Sequence, residues 1–247
     1  MKLTKLSTAL LTGSLMLAAA TANAGVTGNV AFTSDYLFRG VSQTSNNAAV
    51  QGTLSYAFES GFYATAWGSS IASSAGGLEL DTLLGYGGKA GEVSYDVGVM
   101  RYNYPGLNEN TAGQVDSDTG VPVDADYNEI YASVSAYGAK LGVNYSPDYF
   151  LESDKFMYVF ASYGTEVAGI GLFASVGLNS FDSEAKMNQA LFTTGTDDSY
   201  MDYKVAVSKT LDGVAFELAY VGSDIDDTEC GSGLCEPRAV ATVTKAF

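Results

Sequence analysis

The side chains that most often perform acid–base or nucleophilic chemistry at neutral pH are scarce in this chain. Its 247 residues include no histidine and only two cysteines, Cys230 and Cys235. The lack of histidine excludes Ser-His and Cys-His nucleophile pairs, histidine metal sites and histidine general bases. We therefore predict that the protein is not an enzyme, and that it has no catalytic residue, no bound metal and no other cofactor.

The N-terminus indicates export. Lys2 and Lys5 precede an apolar or small stretch over residues 6–21, and Ala22-Asn23-Ala24 has the A-x-A form of a cleavage site. This pattern predicts a signal peptide over residues 1–24, cleaved after Ala24. An uncleaved membrane anchor is the alternative, and the shortness of the apolar run argues against it.

Export places the two cysteines in an oxidising compartment. Gly231-Ser232-Gly233 lies between them, so a short loop can close. We therefore predict a disulfide bond between Cys230 and Cys235.

The charge balance limits the choice of partners. The chain has 28 Asp and Glu against 12 Lys and Arg, a formal net charge of −16. Nucleic acid is excluded as a partner, because a phosphate backbone is bound by a surface rich in Lys and Arg.

Hydrophobic residues alternate with polar or small ones along most of the mature chain, as in a strand with one apolar face. We predict twelve strands of this kind, at 26–37, 48–58, 61–71, 78–87, 92–103, 126–137, 139–147, 155–164, 167–180, 199–210, 213–223 and 237–247. Each has about ten residues, enough to cross the ~25 Å apolar band of an outer-membrane barrel at a tilt of ~45°. No segment after the signal peptide has the ~18–20 consecutive apolar residues of a membrane helix.

The connections between these segments alternate in length. Short turns are predicted after the even-numbered segments, for example at Thr165-Glu166 and Leu211-Asp212, and longer polar loops follow the odd-numbered ones. This is the pattern of an antiparallel up-and-down outer-membrane β-barrel with both termini on the periplasmic side. A soluble β-sandwich also shows alternation, but here the polar face is rich in Gly, Ser, Thr and Ala. The terminal Phe247 is also the residue expected at the end of a chain addressed to the barrel-assembly machinery.

Charged residues fall on the predicted inward faces. The acids are Asp35, Glu79, Asp81, Asp96, Glu129, Asp202 and Glu217, and the bases are Arg39, Lys140, Lys204 and Arg238. Seven acids against four bases give the predicted lumen a net charge of −3. These groups either line an open pore or pair off inside a filled barrel, because twelve strands lie between the filled eight-stranded barrels and the open sixteen-stranded ones.

Asp35 and Arg39 share the parity of Thr33 and Leu37 near the outer end of the first segment. We predict that they pair with each other. The pair either forms a constriction that sets ion selectivity or fixes the register of the strand.

Two further groups of residues have alternative interpretations. Carboxylates cluster at Asp116/Asp118/Asp124/Asp126, at Asp197/Asp198 and at Asp224/Asp226/Asp227/Glu229. Such clusters can bind Ca²⁺, but none has EF-hand spacing, so we favour solvated charge.

The aromatic residues near segment ends are predicted to form interfacial girdles rather than ordinary sheet packing: Tyr36, Phe58, Tyr86, Tyr102, Tyr104, Tyr145, Tyr149 and Phe247.

The segment SDYLFRGVSQT at residues 34–44 resembles the opening motif of the TorF-type family of proteobacterial porins. The similarity continues through Trp67, Tyr104-Pro105-Gly106, residues 145–150 and the final Lys245-Ala246-Phe247. The resemblance implies an outer-membrane porin, without an agreed substrate and without catalytic residues to carry over. The loop with the two cysteines has no match in that family.

The sequence thus predicts a porin-like channel for passive diffusion of small polar solutes or ions, with a preference for cations. Its other expected contacts are outer-membrane lipid and lipopolysaccharide. The alternative is a non-conducting outer-membrane barrel with a structural, adhesion or surface-binding role.

Overall fold

A computed structural model describes residues 24–107, residue 115 and residues 119–247. The predicted signal peptide, apart from its last residue, and the loop acids Asp116 and Asp118 lie outside the described residues. In chain order the strands are β1 (Gly25–Thr33), β2 (Leu37–Phe38), β3 (Val41–Ser42), β4 (Ala49–Ala57), β5 (Phe62–Ser70), β6 (Leu78–Ala90), β7 (Val93–Asn103), β8 (Tyr127–Ala136), β9 (Ala139–Ser146), β10 (Phe156–Val167), β11 (Ile170–Phe181), β12 (Ser199–Leu211), β13 (Val214–Ser223) and β14 (Arg238–Ala246).

Twelve of these strands form one closed antiparallel barrel. Each pairs with its neighbours along the chain, and β1 closes the ring by pairing with β14 and β4. Strands β2 and β3 pair only with each other. The predicted twelve-stranded antiparallel barrel is confirmed.

The two faces of the barrel wall have opposite chemistry. Apolar side chains point outward and are exposed, as in Phe32 at 57% and Leu218 at 55%. Polar and charged side chains point inward and are buried, as in Glu129 and Asn179, both at 0%. An exposed apolar belt around a polar interior is the arrangement of a barrel whose solvent is lipid.

Three of the short turns have the same geometry. Tyr137-Gly138, Ala168-Gly169 and Asp212-Gly213 each have positive φ at both residues, which is the type I′ turn that fits the twist of a two-residue hairpin. The turn predicted at Thr165-Glu166 lies three residues later, at Ala168-Gly169, and the turn predicted at Leu211-Asp212 lies one residue later, at Asp212-Gly213. The reason is that each strand continues until a glycine can take up the positive φ of the turn.

The first predicted segment, 26–37, was too long. Strand β1 ends at Thr33, where the Ser34 amide still donates to the carbonyl of Ala241 at 2.9 Å. The chain then leaves the barrel wall and forms the β2–β3 hairpin.

The loops at the other end of the strands, here called the long-loop end, contain the helical segments. These are the helix α1 (Glu184–Leu191) and the 3₁₀ turns Ser73–Ala75, Phe150–Glu152 and Gly231–Gly233. Two of these segments dock on each other, since Gln189 donates to the Leu151 carbonyl at 2.5 Å. In the described part of the chain, no helix is long and apolar enough to cross a membrane.

The predicted disulfide between Cys230 and Cys235 is present, with its Cα atoms 5.9 Å apart. Its loop touches two other loops. Cys230 bridges to Thr193 in the loop after α1, and the Leu234 carbonyl accepts from the Ser42 amide at 2.9 Å. The disulfide loop therefore links the loop after α1 to the β2–β3 hairpin.

The C-terminus completes the closure of the barrel. Strand β14 ends at Ala246, and Phe247 extends the ladder by exchanging two backbone hydrogen bonds with Gly28, at 3.0 and 3.1 Å. The Phe247 side chain is 74% exposed. Its role as a signal for barrel assembly stays a prediction.

A closed barrel has no unpaired strand edge and resists detergent unfolding. We therefore expect the folded protein to be heat-modifiable, so that boiled and unboiled samples migrate differently in a denaturing gel. Identical migration of the two samples, with recovery of the protein in the soluble periplasmic fraction, would contradict the barrel.

Candidate functional site

A short hairpin enters the barrel from the long-loop end. This inner hairpin, residues 37–42, pairs Leu37 with Ser42 and Phe38 with Val41. Arg39 and Gly40 form its two-residue turn, with φ of 49° and 83°. Glycine is required at position 40, because a Cβ atom there would lie 2.7 Å from the Gly222 carbonyl oxygen on the barrel wall.

Asp35 anchors the base of the inner hairpin. Its carboxylate accepts hydrogen bonds from Ser42 Oγ at 2.7 Å and Thr44 Oγ1 at 2.6 Å. Arg238 on β14 donates to the same carboxylate at 3.0 Å. The buried Asp35 thus ties the hairpin to the wall.

Arg39 at the hairpin tip reaches Glu129 on β8. Nη2 donates to Oε2 at 2.9 Å, and Nη1 lies 2.8 Å from Oε1, so the two groups form a close ion pair. Both side chains are buried, with 6% and 0% exposure. The predicted pairing of Asp35 with Arg39 is therefore wrong, because the type I′ turn carries Arg39 to β8 while Asp35 stays beside β14.

Further side chains contact this pair. Asn144 and Tyr102 also donate to Glu129, at 2.8 and 3.2 Å. Burial alone would lower the pKa of the Arg39 guanidinium, but the charge of Glu129, its hydrogen bond and the neighbouring tyrosines together hold this pKa above its ordinary value.

Aromatic rings enclose the guanidinium of Arg39. The rings of Phe38, Phe156 and Tyr158 have their centroids 4.6, 4.7 and 4.5 Å from its central carbon, within the range of cation–π contacts. Tyr149 stacks on Phe156 with a centroid distance of 4.0 Å. Together these rings pack around the hairpin tip on the long-loop side of the barrel.

The girdle prediction was wrong for four of its eight aromatic residues. Tyr36, Tyr102, Tyr104 and Tyr149 are only 2–6% exposed and pack inside the barrel or under its loops. Strand parity gives the reason for Tyr102, which has the parity of the inward-facing Asp96. Phe58 and Phe247 are exposed, as a girdle position requires.

Two acids on β6 lie buried near this cluster. Glu79 accepts a hydrogen bond from Tyr104 at 3.2 Å through Oε1. Its Oε2 and both oxygens of Asp81 have no hydrogen-bond partner among the described residues. Within that part of the chain, no group of three or more His, Cys, Asp or Glu side chains is arranged to hold a metal ion.

The acidic loops are described in part. Thr228 donates to Asp226 through its hydroxyl at 2.6 Å and its amide at 2.8 Å, and these hydrogen bonds lower the pKa of the Asp226 carboxyl. Asp226 is therefore engaged with its own loop.

A cavity of about 130 Å³ lies inside the barrel beside the hairpin tip, with room for about four water molecules at ~30 Å³ each. It is lined by seven of the eleven predicted lumen residues: Asp35, Arg39, Asp96, Lys140, Asp202, Lys204 and Glu217. Glu79, Asp81, Glu129 and Arg238 are not part of this lining. Lys204 and Glu217 form an ion pair of 2.7 Å across neighbouring strands.

Tyrosine hydroxyls donate hydrogen bonds to Asp96 and Asp202 in the cavity lining. Tyr63 donates to Asp96 at 2.7 Å, and Tyr158 donates to Asp202 at 3.2 Å. Asn179 adds a hydrogen bond to Asp202 at 2.9 Å. The sequence reasoning missed these partners, although strand parity, which identified the acids, also places Tyr158 on an inward face.

Glycines on the inward face leave room for aromatic rings to lie along the wall. Phe160 lies against Gly142, and Tyr158 lies against Gly177, so closely that a Cβ atom at either glycine would overlap the ring. Alanine at these positions would displace the rings and narrow the cavity.

The interior is more accessible towards the short turns. On β8, Glu129 near the long-loop end is buried while Ser135 near the turn is half-buried. On β10, Phe156 and Ser162 show the same trend. The barrel is therefore packed at its long-loop end and more open at the other.

Comparison with known proteins identifies the family. The family model Gcw_chp, described as a bacterial protein of unknown function, matches residues 17–247. The chain belongs to this family. No curated protein sequence matches it.

Solved structures share the fold at low sequence identity. The NanC porin in a rhombohedral crystal form superposes with a TM-score of 0.50 at 7% identity, over 90% of this chain and 98% of that chain. A structure from a study of the in-meso crystallization of membrane proteins gives 0.50 at 10%, over 90% and 83%. OccAB4 from Acinetobacter baumannii gives 0.42 at 12%, over 89% and 57%. The fold is thus that of a porin-like barrel.

The buried pair of Arg39 with Glu129 makes a stability prediction. Glu129→Gln leaves a buried guanidinium without a carboxylate, so we expect a loss of about 3–5 kcal/mol in the free energy of unfolding. Urea unfolding, followed by the mobility of unboiled samples, measures this loss.

The matched control is Asp182→Asn, which breaks the exposed pair with Lys155 and should cost at most about 1 kcal/mol. The double variant Arg39→Met/Glu129→Gln should lose less than the sum of the two single variants. Strict additivity would show that the pair does not act as a unit.

Proposed function

We propose that this protein is an outer-membrane porin-like channel that passes small polar solutes or ions by passive diffusion. The exposed apolar belt supports contact with outer-membrane lipid, with the loops facing lipopolysaccharide and both termini facing the periplasm. Export through a signal peptide cleaved after Ala24, and recognition of Phe247 by the barrel-assembly machinery, belong to the same proposal. So does the TorF-type resemblance of residues 34–44.

The observation that carries the proposal is the charged cavity inside the barrel. A barrel with a purely structural role can fill its interior with side chains, as the long-loop half does. Around the cavity, aromatic rings lie along the wall over glycines, and polar groups face open space. Such a space suits a hydrated solute.

The inner hairpin makes this a channel closed on its outer side. Arg39 holds the tip to β8, and Asp35 holds the base to β14. Conduction then requires the hairpin to move from this position, because its tip and the aromatic rings beside it occupy the long-loop side of the cavity.

Charge favours cations once the channel is open. The cavity lining has four acids and three bases among the predicted lumen residues, a net charge of −1, and the full set nets −3. A low-dielectric wall focuses this field and raises the local concentration of counter-ions.

A second candidate function is a non-conducting barrel with a structural, adhesion or surface-binding role. The packed aromatic cluster at the long-loop end favours it. Single-channel recording separates the two functions.

We expect purified protein in planar bilayers to show rare openings that select for cations, measured as reversal potentials across a KCl gradient. Arg39→Ala should open more often and select more strongly for cations, because it removes both the latch and a positive charge. The preference should weaken in concentrated salt, where the Debye length falls below ~10 Å.

Arg101→Ala is the matched control. It also removes an arginine, but one whose pair with Asp126 is part-exposed and lies outside the cavity lining, so conductance should not change. Absence of conductance in the wild type and in Arg39→Ala would favour the non-conducting barrel, and an anion-selective wild type would refute the charge argument.

A further inference from the structure

Three charged groups of the cavity have no ion-pair partner among the described residues: Asp96, Lys140 and Asp202. The other charged side chains in the lining are paired, Arg39 with Glu129, Asp35 with Arg238, and Lys204 with Glu217. The wall thus keeps both signs of charge available to a solute.

Lys140 supplies the positive charge. It lies on the inward face of β9, and in the described part of the chain its ammonium makes neither a hydrogen bond nor an ion pair. An ammonium carries three donors, and because Lys140 lines the cavity these donors are available to a solute there. An anionic group in the cavity would satisfy them.

Asp96 supplies the negative charge on the same side of the cavity. Tyr63 donates to one of its oxygens at 2.7 Å, and an ionised carboxylate has about four acceptor sites, so acceptor capacity remains. Asp96, Ser133 and Gly142 are register partners across β7, β8 and β9. Lys140 is the next inward residue beyond Gly142, so the two charges lie two strands apart.

The two charged side chains rise from the strands on either side of β8. Neighbouring strands are ~4.8 Å apart, so the backbones of β7 and β9 are separated by roughly 10 Å. Lys140 and Asp96 reach into this gap without meeting within salt-bridge distance. Phe160 lies flat over Gly142 beside it and provides an apolar surface.

We propose that the cavity binds a small zwitterionic solute with one carboxylate and one ammonium group, the chemistry of a free α-amino acid. The carboxylate of the solute binds Lys140, and its ammonium binds Asp96. Asp202, across the cavity, remains available for a second positive group. This inference rests on the proposed function only in placing the site on a permeation path.

Both charges of the solute are needed. Asp96 and Lys140 attract each other without forming a salt bridge, so a solute with a single charge makes a charge-assisted contact with only one of them. A zwitterion contacts both groups at once, and a cavity of about 130 Å³ accepts a solute with few non-hydrogen atoms.

Binding is tested on the purified full-length mature protein in detergent, without a membrane, by saturation-transfer NMR titration. The probes are L-alanine, acetate and methylammonium. We expect L-alanine to bind at least about tenfold more tightly than either singly charged probe, since each lost charge-assisted hydrogen bond costs about that factor or more.

The variants are Lys140→Met and Asp96→Asn, which keep the side-chain shape. Each should weaken L-alanine binding by about tenfold or more. The matched controls are Lys209→Met and Asp212→Asn, two exposed positions outside the cavity, and these should leave binding unchanged. Heat-modifiable migration verifies the fold of every variant, and the comparison of probes on the wild type needs no variant.

Equal affinity for L-alanine and acetate, or binding that both cavity variants leave intact, would overturn the proposal. Conductance of the wild type without L-alanine binding would overturn this inference and leave the proposed function standing. L-Alanine binding in a barrel that never conducts would overturn the proposed function and leave this inference standing.

Discussion

The interior of this barrel is organised around one buried arginine. A guanidinium cannot lose its proton inside a protein, so burial demands a carboxylate and a well-packed surround. Glu129 supplies the carboxylate, and the rings of Phe38, Phe156 and Tyr158 supply the surround. Because Arg39 sits at the tip of a loop, satisfying its charge draws that loop into the barrel.

This requirement divides the barrel into two halves. In the long-loop half, the hairpin and its aromatic neighbours pack as a hydrophobic core does in a soluble protein. Beside the hairpin tip, glycines face the rings and the wall carries charge around a cavity. The same twelve-stranded frame thus combines a packed long-loop end with a polar cavity, which is the arrangement that the proposed channel requires.

Local patterns predicted the frame well. Alternation located all twelve barrel strands and assigned inward faces to charges such as Glu79, Asp96 and Glu217, because side-chain direction in a strand depends only on parity. The disulfide followed from two cysteines and a short glycine-containing loop. The hairpin escaped detection because alternation runs unbroken past Thr33, and Arg-Gly is not among the strong turn signals.

Long-range partners were beyond such patterns. Arg39 and Glu129 are 90 residues apart in sequence, and Asp35 and Arg238 are 203 residues apart. Parity says that each faces inward, but the choice of partner depends on where the hairpin turns and on how the barrel closes. Unlike these ion-pair partners, the inward-facing tyrosines Tyr102, Tyr131 and Tyr158 could have been identified from strand parity alone.

Whether the inner hairpin closes the barrel is tested most directly by cysteine labelling on intact cells with a membrane-impermeant maleimide. The native Cys230 and Cys235 are bonded to each other and do not react. Val41→Cys, at a position 6% exposed, should label at least about tenfold more slowly than Ala48→Cys at the exposed end of the same loop. Adding Arg39→Ala should speed labelling at position 41 alone. Equal labelling rates at the two positions in the otherwise wild-type protein would contradict a hairpin latched inside the barrel.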